Sequence, residues 1–261
     1  DRDENKKGSH DGLEGFFTLI SDLKKYQYDK IFIFNSSIRF NLISRLSGIK
    51  EIYQYPLFQK KNQHIIKAAQ NFLKNTINLN VESDPKILID DISVDTAKSK
   101  YKINKNQLNI LLGIGGSGPT KRIPIEVFLK FMKLVSAKYD CKFFLATGKN
   151  EEEQVILNKI LDTKFKNKSS SLDNLELKKT LPIIKNCDIA VCNDSSFSHL
   201  SSALGIETIV LMSDTPLLYG SYSPRMHPII PDGESTVTHN TRGKDKINPN
   251  KIFEKLKNIL N

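Results

Sequence analysis

The chain has 261 residues, 39% hydrophobic and 26% charged, which fits a globular protein with room for one large or two modest domains. Its apolar runs are strand-sized, so no membrane-spanning helix is expected, and no secretory leader opens the chain, which points to a cytoplasmic protein. The formal net charge of +10 calls for anionic partners, but the lysines are scattered among asparagines rather than gathered into an aromatic-basic patch, which argues against nucleic acid.

Residues Asp1 to Asp11 are polar and read as a loop. Gly12 to Tyr26 carries Phe16, Leu19, Ile20 and Leu23 at helical spacing, and Lys30 to Phe34 is a β-rich strand. Ile38 to Leu46 reads as a short helix stopped by Gly48, Glu51 to Tyr55 as a strand, and His64 to Asn78 as a second amphipathic helix. Residues 1–91 form a first α/β domain on this reading. The crossing follows at 92–107, with helical character from Val94 to Tyr101.

The second domain, 108–261, opens with the apolar strand Leu108 to Ile114. A glycine-rich loop follows, and Pro124 starts a helix running to about Lys138. Lys142 to Ala146 is the next strand and Asn150 to Leu161 the next helix, with Glu151, Glu152 and Glu153 at its positive end. Leu172 to Asn186 is expected to be helical, Pro228 to Ile230 a strand, and Pro249 to Leu260 a closing helix. The three cysteines, Cys141, Cys187 and Cys192, lie in or beside apolar segments without a C-x-x-C spacing, and read as buried thiols.

Two loops carry chemistry. Gly113 to Gly118 satisfies G-x-G-x-x-G after a strand, but Pro119 and the following residues delay the helix. The next strand ends in Ala146-Thr147-Gly148-Lys149 without the acidic residue a dinucleotide fold needs, and Gly-Lys-Ser/Thr of a Walker A loop is missing. The other loop lies in Cys187 to Thr215, where two apolar strands flank Asn193-Asp194-Ser195-Ser196 and a helix ending at Gly205. Asp194 or Ser195 can cap that helix, whose free N–H groups suit a phosphate. Capping alone also explains Asp and Ser there, and a single Lys121 in a loop is ordinarily just solvated.

The segment Asp194-Ser195-x-x-x-His199-Leu200-x-x-Ala203-Leu204-Gly205 resembles the signature of the ADP-heptose:lipopolysaccharide heptosyltransferases, glycosyltransferase family 9. Gly116-Ser117-Gly118-Pro119-Thr120-Lys121-Arg122-Ile123-Pro124-Ile125-Glu126-Val127-Phe128 resembles that family's G-(A/G)-S-x-x-x-K-R-x-P-x-E-x-F segment, and Tyr28 to Tyr55 its "yD", strand, loop and helix passage.

The resemblance implies a GT-B-like α/β architecture of two Rossmann-like domains with parallel sheets, the N-terminal one incomplete. It implies transfer of heptose from ADP-heptose, with inversion, to a phosphorylated glycolipid of the lipopolysaccharide inner core. Donor-binding residues carried over are Ser117, Lys121, Glu152, Asp194, Ser195, Ser196, Phe197 and His199. Glu152 stands for one of three adjacent candidates, Glu151 to Glu153. The Asp that usually serves as base is expected upstream of residue 1, which leaves the activity of these 261 residues alone open.

No cofactor or metal is implied. Work at the inner face of the inner membrane and peripheral contact with it fit a lipid-anchored acceptor and a basic chain. Ser196 stands where the family has Gly, which leaves another nucleotide sugar as an alternative donor, and the missing match to the family's opening segment leaves a non-catalytic nucleotide-binding module as a further alternative reading.

Overall fold

The computed structural model describes residues 8–56, 65–82, 84–116 and 118–261. The chain divides into two units between Glu82 and Ser83.

In the first unit α1 (Gly12–Tyr26), β1 (Lys30–Ile33), α2 (Ile38–Leu46), β2 (Glu51–Gln54) and α3 (Ile65–Ile77) follow one another. Strands β1 and β2 run parallel, with Lys30 opposite Glu51 and Phe32 opposite Tyr53. The Phe32 and Tyr53 rings stack at 5.0 Å across that register, and Phe72 of α3 meets Phe32, Phe34 and Tyr55 edge-on. Helix α1 is tied to α2 by Arg39, which donates to the carbonyls of His10 and Gly12. The helix expected from His64 is described from Ile65 onward. His64 itself, and residues 1–7 of the expected N-terminal loop, lie outside the described residues.

The second unit is a six-stranded parallel sheet. After α4 (Asp91–Lys100) come β3 (Leu108–Gly113), α5 (Ile125–Lys138), β4 (Cys141–Ala146), α6 (Glu151–Leu161), β5 (Ser169–Ser171), α7 (Leu177–Lys185), β6 (Ile189–Asn193), α8 (Ser196–Ala203), β7 (Glu207–Leu211), β8 (Met226–Ile229) and α9 (Pro249–Leu260). The strand order is β5-β4-β3-β6-β7-β8, in which the chain steps outward from β3 in one direction and then, from β6, in the other. Ligands of such sheets collect where the direction switches, at the carboxyl ends of the two central strands.

Alternation along the strands builds two cores. Ile110, Leu112, Phe143, Leu145, Ile189 and Val191 face Phe128, Phe131, Met132, Ile252 and Leu256. Leu111, Phe144, Ala190 and Cys192 face Ile183, Ile184 and Leu204 on the opposite side. Both faces of the central strands are therefore dry, which is why their sequences are continuously apolar rather than alternating. Backbones pack tightly where β3 meets β6, because a Cβ on Gly113 would stand 2.7 Å from Cys192 Sγ. Gly205 closes α8 at φ +85°, the left-handed conformation expected of it. All three cysteines are free and buried, as their apolar settings predict.

One expectation is corrected and one strand is added. The helix assigned from Leu172 begins only at Leu177, because the Leu172 N–H donates to the Leu145 carbonyl and so prolongs strand pairing. Before it lies β5, three serines paired to β4 at the sheet edge, which apolar patterning does not reveal.

Candidate functional site

The loops after β3 and β6 meet at the switch point, since Gly113 and Cys192 are register partners at the strand ends. Asn193, fully buried at the end of β6, donates through Nδ2 to the carbonyls of Ile114 and Gly115 and binds one loop to the other. Lys121 then reaches across, and its Nζ lies 2.9 Å from Asp194 Oδ2. The lysine side chain keeps 27% of its surface exposed and the aspartate 6%, so the pair opens to solvent on the cationic side. The Lys121 loop is further held by Ser213 after β7, whose Oγ donates to the Thr120 carbonyl at 2.8 Å.

This pair changes the expected capping of α8. Ser195 occupies the cap position in extended conformation, yet no side chain caps the helix, because Asp194 is turned to Lys121. The Ser195 side chain bonds nothing either, and its buried Oγ meets no hydrogen-bond partner among the described residues. The first turn of α8 thus keeps its orphan amides and the positive end of its dipole beside a lysine. Ser196 is exposed at the first helical position, and Phe197 packs partly buried against the core. One turn into α8, His199 Nδ1 lies 2.7 Å from Tyr222 Oη. Burial lowers the His199 imidazole; Asp194 pulls it up, Lys121 pushes it further down, and the net shift is below its ordinary value. Ser117 lies outside the described residues.

The three adjacent glutamates separate sharply. Glu152 has 71% of its side chain exposed and forms an ion pair with Arg122 of the glycine-rich loop. Glu153 is only 6% exposed and lies under that loop. Its carboxylate accepts from Thr147 Oγ1 and Asn150 Nδ2 at 2.8 Å, from the Gly148 N–H, and from the Gly116 N–H at 3.4 Å. Burial raises the Glu153 carboxyl, but these donors outweigh it and hold it below the ordinary carboxylate value. Glu153 is one of the three adjacent candidates for which Glu152 stands, and the signal that separates it is the pair of glycines, Gly115 and Gly148, whose missing side chains make room for its carboxylate.

The sign of the resulting pH dependence is fixed by that lowered value. Glu153 stabilises the fold above about pH 4.5, its unperturbed value, and the contribution disappears as pH falls through the lower folded value. Glu153→Gln is expected to flatten the acid limb of a stability-against-pH curve and to lower stability at neutral pH. Urea midpoints measured between pH 3 and pH 7 check this; parallel curves for variant and wild type count against it.

A family model described as glycosyltransferase family 9 (heptosyltransferase) matches residues 16–248. The chain belongs to glycosyltransferase family 9. Lipopolysaccharide heptosyltransferase 1 of Campylobacter coli is 23% identical over 258 residues, covering 87% of this chain and 73% of the relative. Among solved structures, the Escherichia coli ADP-heptose lipopolysaccharide heptosyltransferase II superposes with TM-score 0.69 at 15% identity, over 94% of this chain and 80% of that one. The E. coli heptosyltransferase WaaC with ADP gives TM-score 0.66 at 13% identity, over 94% and 77%.

As a family 9 member the chain is a glycosyltransferase of GT-B-like α/β fold. Among the described residues of this family 9 chain no group of three or more His, Cys, Asp and Glu side chains is arranged to hold a metal ion, and no helix is long and apolar enough to cross a membrane.

Proposed function

We propose that the second unit binds ADP-heptose and that the chain serves heptose transfer to a phosphorylated glycolipid acceptor of the lipopolysaccharide inner core, with inversion. The observation that carries this reading is the Lys121–Asp194 pair beside the uncapped start of α8, at the switch point of the sheet. A cation and a helix N-terminus suit a diphosphate, and a carboxylate beside them suits sugar hydroxyls.

In this scheme an acceptor hydroxyl attacks the anomeric carbon from the face opposite the nucleotide. A carbon–oxygen bond to the acceptor forms, the bond to the diphosphate breaks, and the nucleotide leaves with the electron pair. Negative charge grows on the diphosphate, where Lys121 Nζ and the N–H groups at Ser195 and Ser196 are ready to meet it without reorganisation. Asp194 exchanges Lys121 for the sugar hydroxyls, His199 faces phosphate, and Phe197 holds the helix start against the core. The acceptor proton passes to a carboxylate acting as general base.

Glu152 takes the ribose hydroxyls in this scheme, because its carboxylate is exposed and spends itself on one partner, whereas both oxygens of Glu153 are already occupied. Ser117 contributes from the same loop as Lys121. The basic chain suits a lipid-anchored acceptor at the inner face of the inner membrane.

The test is calorimetric titration of the chain with ADP, UDP, GDP and NAD in parallel. Selective ADP binding is expected. Preference for UDP or GDP would keep the glycosyltransferase and replace the donor.

A further inference from the structure

The segment after β7 is clamped to α8 by Tyr222, Ser223 and Arg225, which the donor-site scheme leaves unused. Tyr222 and His199 are joined twice, by the 2.7 Å contact between Oη and Nδ1 and by ring stacking at 5.6 Å and 18°. The neighbours of Tyr222 are fixed in turn. Ser223 Oγ donates to Asp84 Oδ1 at 2.8 Å, Arg225 forms an ion pair with the same carboxylate, and Arg225 Nε donates to the Ser202 carbonyl of α8 at 3.1 Å. Residues 199 and 202 lie one turn apart on one helix face, so the clamp grips that face at two successive levels. Among the described residues no hydrogen bond reaches His199 Nε2.

Direction follows from chemistry. A phenol is a much better proton donor than acceptor towards a neutral imidazole. Burial, and then the Asp84 charge, push the Tyr222 phenol up, so it keeps its proton. The imidazole, lowered as described above, is neutral at pH 7 and carries one N–H.

We propose that Tyr222 is a positioning residue for His199: its O–H donates to Nδ1, fixing the imidazole as the Nε2–H tautomer and presenting that N–H to an oxygen of the bound nucleotide. The ligand half of this statement rests on the donor-site reading above. The tautomer half does not.

Imidazole 15N spectra of the full chain at pH 7, with His199 assigned through a His199→Gln variant, test the tautomer without ligand. ADP titrations of wild type and Tyr222→Phe then test the consequence. Wild type is expected to show Nδ1 unprotonated and accepting a hydrogen bond. In Tyr222→Phe, which keeps the stacked ring, Nδ1 should move to the position of a nitrogen accepting none, ADP should bind about three- to tenfold more weakly, and the thermal midpoint should fall less than in a variant that also loses the ring. Tyr222→Leu should lose the ring contact as well and fall in stability, which separates packing from hydrogen bonding.

A protonated Nδ1 in wild type overturns the proposal, as does a Tyr222→Phe variant with unchanged Nδ1 resonance and ADP affinity. Expected nitrogen shifts in a wild type that binds no ADP would uphold the tautomer and bring down the donor-site reading instead.

Discussion

Lys121→Ala is expected to weaken ADP binding by about 10- to 100-fold, the worth of one charge-assisted hydrogen bond to phosphate. The size of the effect depends on Asp194, because in the free protein the lysine already has a partner at 2.9 Å. Binding must part that pair. ADP gives the stranded carboxylate nothing in exchange, whereas ADP-heptose offers it sugar hydroxyls. Asp194→Asn is therefore expected to leave ADP binding unchanged or slightly tighter, and to abolish whatever advantage the sugar nucleotide has over ADP.

The single alanine also strands a 94%-buried carboxylate, taking Asp194's 6% exposure as the measure, so Lys121→Ala should lose about 1–3 kcal/mol of stability. Lys121→Ala/Asp194→Asn should recover most of that and still bind ADP weakly. Calorimetry and urea unfolding on the three variants settle both halves. Wild-type ADP affinity in Lys121→Ala would remove the lysine from the site.

The parts of this molecule that were legible in the sequence are those whose signal is local. Helices α1, α2 and α9 follow from periodicity and punctuation, and β3 and β6 from continuous apolar runs that only doubly covered strands carry. The two loops at the switch point stood out because glycines, a lysine and an Asp-Ser helix start coincide there with strand ends.

What could not be read is what depends on partners distant in the chain. Strand β5 is three serines whose only reason to be extended is β4 beside them. The Lys121–Asp194 pair spans 73 residues, and with it goes the capping role that Asp194 would otherwise take. Adjacent glutamates look alike in sequence, and only the hollow left by Gly115 and Gly148 decides that Glu153 goes in and Glu152 stays out. The clamp of Tyr222 on His199 is equally invisible, because the loop that carries it has no periodicity.

The same hollow makes Gly115→Ala the substitution with the largest expected cost to the fold near the site. A Cβ there would lie 2.2 Å from Glu153 Oε2, 3.0 Å from its Cδ and 3.2 Å from Thr147 Oγ1. A flexible carboxylate could ordinarily swing away, but this one is held at both oxygens, by Thr147 and Gly148 on one side and Asn150 and Gly116 on the other. Relief must come either from breaking those bonds to a buried charge or from pushing the Gly115–Gly116 backbone off its seat. Either route costs about 2–4 kcal/mol, and the second also drags the Lys121 loop away from Asp194.

Gly115→Ala is thus expected to lower both the urea midpoint and the ADP affinity. Gly118→Ala, where a Cβ meets nothing within 4 Å, should leave the midpoint where it was. Glu153→Ala removes the obstructing carboxylate, so Gly115→Ala/Glu153→Ala should lose distinctly less than the sum of the two single variants. Strict additivity would mean that glycine is needed at 115 for a reason other than the carboxylate beneath it.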